Sequence, residues 1–202
     1  MILVGQYDSP FVRRVAVTLH VLGFPYEHDT RSVFGDFESM RQTNPLGRIP
    51  SLILDDGTVL VDSGVILDHL DEEVGPERAL IPRSGLARRQ VLHRVALASG
   101  AIDKAGAANY ERLLRPQQYQ WPEWMARLET QAIGAIAALA DLSWPEEAPL
   151  DQAQITTTCL LRYLQLRSPG LAPLERYPSL AALAARCEKR PEFQATYPPD
   201  GC

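Results

Sequence analysis

The chain has no cysteine before residue 159 and only three in all, Cys159, Cys187 and Cys202, among 202 residues. An odd, widely spaced set confined to the last quarter does not make a disulfide framework. It fits reduced thiols in a cytoplasmic protein. It also excludes Cys-x-x-Cys redox chemistry and a cysteine-type mixed-disulfide site from the N-terminal part. No run of about 18 apolar residues occurs, so no membrane span is expected. The first residues lack the charged n-region and apolar h-region of an export signal. The four histidines, at 20, 28, 69 and 93, show no ligand spacing to cysteine or to clustered carboxylates, so no metal is expected. There is no phosphate-binding glycine motif and no serine-protease-type arrangement. Positive charge is the minority sign, with 20 Lys and Arg against 25 Asp and Glu and a net charge of −5. That makes nucleic acid an unexpected partner. The densest basic stretch, Arg83, Arg88, Arg89 and Arg94, suits a solvated helix face.

What is present suffices for one compact unit or two small domains, with 46% hydrophobic residues to build a core. Residues 1–5 form an apolar strand pattern. From Pro10 to Leu22, Val12, Val15, Ala16, Leu19 and Leu22 recur on one helical side, and Gly23 follows as the terminator. Residues 26–30 suit a second strand, and 31–44 are polar with a short helix near 37–41. Asn44-Pro45-Leu46-Gly47 is turn chemistry. The clearest local signal is Ser51-Leu52-Ile53-Leu54 and Thr58-Val59-Leu60-Val61 around Asp55-Asp56-Gly57, a β-hairpin. Asp62-Ser63 then caps a helix running to about Glu73.

After the punctuation at Gly75-Pro76 and Pro82-Arg83-Ser84-Gly85 the pattern is helical throughout. Helices are expected at 86–114, 122–141, 151–167 and 178–189. Asp151 with Gln154 forms a capping box for the third, and six prolines fall between helices. The division is therefore a mixed N-terminal domain over 1–76 and an all-helical one over 86–202. There is no internal repeat.

Chemistry concentrates at the start of the first helix. The Ser9 hydroxyl sits at the positive end of the helix dipole beside free backbone N–H groups. A thiolate or other anion can be held there. Ser9-Pro10 is also the ordinary capping pair of a helix, and both roles are compatible.

The ordered motifs Tyr7-Asp8-Ser9-Pro10-Phe11-Val12-Arg13, Asn44-Pro45-Leu46-Gly47-Arg48-Ile49-Pro50-Ser51-Leu52 and Asp62-Ser63-Gly64-Val65-Ile66-Leu67-Asp68-His69-Leu70 recur in one family. Tyr177-Pro178-Ser179-Leu180 and Arg190-Pro191-Glu192-Phe193 complete the set. Over nearly its whole length the chain resembles the glutathione S-transferase superfamily, in particular bacterial members with serine at the thiol position. The resemblance implies an α+β thioredoxin-like N-terminal domain followed by an all-α C-terminal domain, and a homodimer. It implies glutathione as co-substrate and a small electrophile as second substrate.

By the same resemblance, Ser9 donates a hydrogen bond to the glutathione sulfur, with Tyr7 as a rival hydroxyl, and Phe11 belongs to the binding set. Ile49 and Pro50 are joined by a cis peptide, and the Ile49 backbone pairs with the cysteinyl part. Asp62 and Ser63 hold the γ-glutamyl end, although the family more often has Glu or Gln before the serine. Arg48 reaches a glutathione carboxylate where a lysine is frequent. Tyr110, Arg112 and Arg115 are candidates for the electrophile side, and Asp103 for the neighbouring subunit's glutathione. Trp121, Trp124 and Trp144 are expected to pack. The implied activity is conjugation in detoxification. Rival readings are a glutathione-dependent isomerase, dehalogenase or peroxidase, and a non-catalytic binding or regulatory protein of the same fold.

Overall fold

The computed structural model describes residues 1–198. Of the three thiols, Cys159 and Cys187 are buried and free, and Cys202 lies outside the described residues. The first compact unit takes in Met1–Gly85 and the segment from Lys189 onward, and the second is Leu86–Glu188.

The first unit runs β1 (Ile2–Val4), α1 (Pro10–Leu22), β2 (Glu27–Asp29), α2 (Phe37–Thr43), β3 (Ser51–Ile53), β4 (Val59–Val61) and α3 (Ser63–Val74). The sheet order is β2-β1-β3-β4. β1 pairs parallel with β2, Leu3 opposite His28, and antiparallel with β3, Leu3 opposite Leu52. The parallel pair requires a crossover, which α1 supplies. This is the thioredoxin-like arrangement.

Local chemistry accounts for each boundary. Ser9 adopts extended backbone (φ −73°, ψ 119°) and Pro10 takes the first helical position, where a missing N–H costs nothing. Gly23 closes α1 at φ 78°, and Phe24 N–H donates back to Leu19 O at 2.9 Å. In the hairpin, Gly57 holds φ 87° and Thr58 N–H donates to Asp56 Oδ1 at 2.8 Å. Leu3, Val4, Val12, Val15, Ala16, Leu19, Leu52, Ile66 and Leu70 are fully buried between sheet and helices.

The second unit contains the rest of the long helix α4 (Gly85–Leu114), then α5 (Pro122–Ala140), α6 (Gln152–Arg167) and α7 (Pro178–Cys187). α6 and α5 both pack on α7. Asn109 donates from Nδ2 to Tyr163 Oη at 3.1 Å and accepts at Oδ1 from Ser168 Oγ at 3.0 Å, tying α4 to the end of α6. Trp144 packs as expected: it is buried, donates from Nε1 to Leu139 O at 2.9 Å, and carries the Arg94 guanidinium 4.8 Å above its ring. Trp121 and Trp124 do not. They are 61% and 42% exposed and stack on each other with ring centroids 6.4 Å apart. Trp121 immediately precedes Pro122, the first residue of α5, so it caps the helix in extended backbone rather than entering its apolar face.

The segment from Lys189 carries a short α8 (Pro191–Gln194) and groups with the first unit, not with the helical one. The reason is Arg13. Its guanidinium is 1% exposed and donates to Thr196 O at 3.1 Å and Phe193 O at 3.2 Å. The Phe193 and Tyr197 rings lie 5.7 and 5.5 Å from it.

Candidate functional site

Ser9 occupies the N-cap of α1, half-buried, and accepts a 3.4 Å hydrogen bond from Val12 N–H. A hydroxyl carries one proton and two lone pairs. Capping uses a lone pair, so the Ser9 proton is left to donate to an anion at the helix end.

Gly5 lets a second element approach that end. It closes β1 at φ 125°, and a Cβ there would lie 2.6 Å from Val12 Cγ2 and 2.8 Å from Ile49 Cβ. Only a residue without a side chain admits Ile49 so close to the first turn of α1. Ile49 is half-buried, Pro50 is buried, and the peptide between them is cis. The approach to this bond is organised by Asn44, 1% exposed. Asn44 Oδ1 accepts from Leu46 N–H at 3.0 Å and Nδ2 donates to Arg48 O at 2.7 Å. Gly47 turns the chain at φ 61°. The Arg48 side chain is exposed.

The third element is the start of α3. Asp62 is its N-cap, exposed, with φ 71° and ψ 130°. A non-glycine residue at such a φ stores strain of about 1–3 kcal/mol. Asp62 Oδ1 accepting from Gly64 N–H at 2.7 Å and Asp62 O accepting from Ile66 N–H at 3.1 Å hold it there. Ser63 is buried, and its Oγ accepts a 2.7 Å hydrogen bond from Arg14 Nη2. The Arg14 guanidinium lies 5.4 Å from the Phe11 ring centroid. Arg14 follows Ser9 by five residues, roughly 7–8 Å along a helix axis. One arginine side chain therefore links the neighbourhood of Ser9 to Ser63.

The structure thus gathers Ser9, Phe11, Ile49, Pro50 and Ser63 around the first turns of α1. It leaves Asp62 and Arg48 exposed at the edge. Three contributors escaped sequence reasoning: Gly5, Asn44 and Arg14. Asn44 carried a signal, as the head of a turn motif. Gly5 and Arg14 carried none, because each is defined by a neighbour more than 40 positions away.

Tyr7 is engaged elsewhere. Its hydroxyl shares a 2.7 Å hydrogen bond with Tyr26 Oη, which meets His20 Nε2 at 3.1 Å. Its ring stacks on His28 at 4.0 Å, and His28 Nε2 donates to Gly5 O at 2.7 Å. Burial pushes the Tyr7 phenol above its ordinary range, against a smaller opposing pull from the Tyr26 bond. Tyr26 is pushed up by burial and by its bond to Tyr7.

In the second unit, Arg112 pairs with Glu129 and with Asn109 Oδ1, and Arg115 pairs with Glu111. Tyr110 and Asp103 are exposed. Among the described residues no group of three or more His, Cys, Asp or Glu side chains could hold a metal ion. No helix there is long and apolar enough to cross a membrane.

Residues 3–78 match the glutathione S-transferase N-terminal domain family. A glutathione transferase family member from Pseudomonas fluorescens Pf-5, solved with bound glutathione, is 37% identical over 98% of this chain and 98% of its own, with a TM-score of 0.86. The chain belongs to the glutathione S-transferase superfamily. Other superfamily relatives span it equally. An uncharacterized GST-like protein of Escherichia coli K12, YibF, is 29% identical over 98% of this chain and 99% of its own. A maleylacetoacetate isomerase of Pseudomonas aeruginosa is 26% identical over 98% of this chain and 96% of its own.

Proposed function

We propose that the protein is a glutathione transferase that holds the glutathione thiol as a thiolate for attack on a small electrophile. The observation that carries this reading is the half-buried Ser9 hydroxyl at the N-terminus of α1, with a proton left to donate. The residues beside it suit the rest of the peptide. The Ile49 backbone next to Pro50 would pair with the cysteinyl part. Phe11 and Ser63 would flank the γ-glutamyl end, with Asp62 toward its ammonium group and Arg48 toward a carboxylate. When bound, glutathione would supply the sulfur that forms the new bond as the electrophile's leaving group departs with the electron pair.

Ser9 acts as a hydrogen-bond donor, not as a covalent nucleophile. A free thiol has a pKa of about 8.5, so most of it is protonated at neutral pH. A donor to the charged form lowers that value, and the helix N-terminus acts in the same direction. Tyr7 is the rival hydroxyl; it shares a hydrogen bond with Tyr26 Oη and its ring stacks on His28.

The proposal extends to a cytoplasmic homodimer that removes electrophiles, with Tyr110, Arg112 and Arg115 as candidates on the electrophile side and Asp103 as a candidate toward the neighbouring subunit's glutathione. Leu86 and Leu92 on α4, 62% and 37% exposed, favour a covered helix face. Sedimentation equilibrium tests the dimer.

An isomerase is the second reading, favoured by the Pseudomonas aeruginosa relative. Calorimetry with glutathione on the parent and on Ser63→Ala is the first experiment. Saturable binding weakened by the substitution supports the site, and no binding at millimolar glutathione removes it. Product analysis then separates the chemistries: a stable conjugate for the transferase, glutathione regenerated for the isomerase.

A further inference from the structure

The chain reaches Ser9 through a β-turn. Ser9 N–H donates to Gln6 O at 3.1 Å, which places Tyr7 and Asp8 at the centre of that turn. Ser9 itself is in extended backbone, and its cap bond from Val12 N–H is long at 3.4 Å. The direction of its hydroxyl therefore depends on where the turn is held as well as on the helix.

The turn is held against β2, the strand at one edge of the sheet. Gly5 N–H continues the β1–β2 ladder by one step, to Asp29 O at 2.8 Å. At φ 125° the chain then turns away, and Gly5 is buried, where its carbonyl needs a donor. A side chain supplies it: His28 Nε2 lies 2.7 Å from Gly5 O. A carbonyl only accepts, so the imidazole carries a proton on Nε2. The protonated ring keeps that proton too, so the bond survives ionisation of the histidine. The same ring stacks on Tyr7, with centroids 4.0 Å apart and planes 10° from parallel. One side chain of β2 thus meets the turn at its entry, Gly5, and at its centre, Tyr7.

We propose that His28 is a positioning residue for Ser9. It holds the turn so that the Ser9 proton points at the bound sulfur, and it does so without touching glutathione. This rests on the glutathione reading above. The effect of His28 on the thiol passes through the Ser9 hydroxyl, so it disappears when that hydroxyl is removed.

The test is a double-substitution cycle. It is read by ultraviolet titration of the thiolate in the glutathione complex and by the pH profile of kcat/KM with a chromogenic aryl halide. His28→Phe keeps a ring against Tyr7 and removes the donor to Gly5 O. It should raise the pH of half-ionisation by about 0.5–1 unit, about a 3- to 10-fold loss of kcat/KM at pH about 6.5. At pH about 9 the loss should be under about twofold. His28→Gln offers an amide donor in place of Nε2–H and should recover part of the shift. In a Ser9→Ala background, His28→Phe should move the titration by less than about 0.3 unit, because no hydroxyl is left to position.

A merely structural His28 predicts a lower Tm with the parental thiol titration, and that result in folded His28→Phe overturns the proposal. Equal shifts with and without the Ser9 hydroxyl also overturn it. In both cases a parent whose bound thiol ionises below its free value leaves the glutathione reading standing. A parent that binds no glutathione, or leaves the thiol at about 8.5, overturns both. If His28→Phe fails to fold by circular dichroism, His28→Thr suits an edge strand, is too short to reach Gly5 O, and runs the same cycle against the same criteria.

Discussion

Replacing Ser9 by alanine should shift the pH at which the bound thiol ionises, and the size of the shift can be worked out. A hydrogen bond to a charged group contributes about 1.5–3 kcal/mol. Each pKa unit corresponds to about 1.36 kcal/mol, so Ser9 should lower the thiol by about 1–2 units from about 8.5. At pH about 6.5 the parent would then hold about 10–50% of its bound thiol as thiolate, and the Ala variant about 1%. The conjugation rate should therefore fall about 10- to 50-fold at that pH, and by less than about twofold near pH 9, above both pKa values. The assay is the pH profile of kcat/KM with a chromogenic aryl halide, beside ultraviolet titration of the thiolate in the binary complex. The substitution also removes a cap. At 3.4 Å that bond is long, so the loss belongs at the low end of the range for caps, about 0.5 kcal/mol. Ser9→Gly, which disturbs capping by only a few tenths of a kcal/mol, controls for it. Tyr7→Phe should leave the profile within about twofold, since Tyr7 is bonded to Tyr26. An Ala variant with the parental profile, or a larger effect from Tyr7→Phe, would refute the assignment.

Arg13→Met should destabilise the protein by about 2–4 kcal/mol, because it leaves the Phe193 and Thr196 carbonyls without the donor that now meets them. Hydrogen exchange over residues 191–198 should accelerate beyond the rest of the chain, and uniform acceleration would contradict a role for Arg13 in holding that segment. Gly5→Ala should lose about 3 kcal/mol or more in denaturant unfolding, from overpacking against Val12 and Ile49 at a positive φ. Glutathione affinity should fall with it, and a neutral outcome would mean that Ile49 retreats freely. Asp151 caps α6, accepting from Gln154 N–H at 2.9 Å, and burial raises its pKa against the pull of that bond and of Arg94. A folded pKa above the unfolded one gives stability present at acid pH and lost as pH rises through the folded value. Asp151→Asn keeps an acceptor for Gln154 and should raise Tm at pH 7, the gain closing as pH falls into the ordinary carboxylate range. A lower Tm at pH 7 would show that the cap needs its charge.

The elements legible in the chain were those whose signals are local. Ser9-Pro10 and Gly23 bracket α1, Asp56-Gly57 turns the hairpin, and Asp62-Ser63 and Asp151 start their helices, because capping and turn chemistry acts within four residues. Apolar periodicity located the long helices within one or two residues of their ends. Short pieces without such signals were less legible: the 3-10 turns at Gln117–Tyr119 and Leu174–Arg176 hold three residues each and bury none.

Tertiary structure alone decided what the charged residues of α1 do. Arg13 and Arg14 lie in a helix whose apolar stripe is Val12, Val15, Ala16 and Leu19, and by pattern they belong to a solvated face. They are buried because segments far along the chain return to cover them, Phe193 and Thr196 over Arg13 and Ser63 over Arg14. The same holds for Gly5, whose bare backbone matters only once Ile49 arrives beside it. Sequence determines the backbone through contacts made within a turn or two. Which side chains meet across 40 to 180 positions is set by packing the completed elements, and the proposed site is assembled from such meetings.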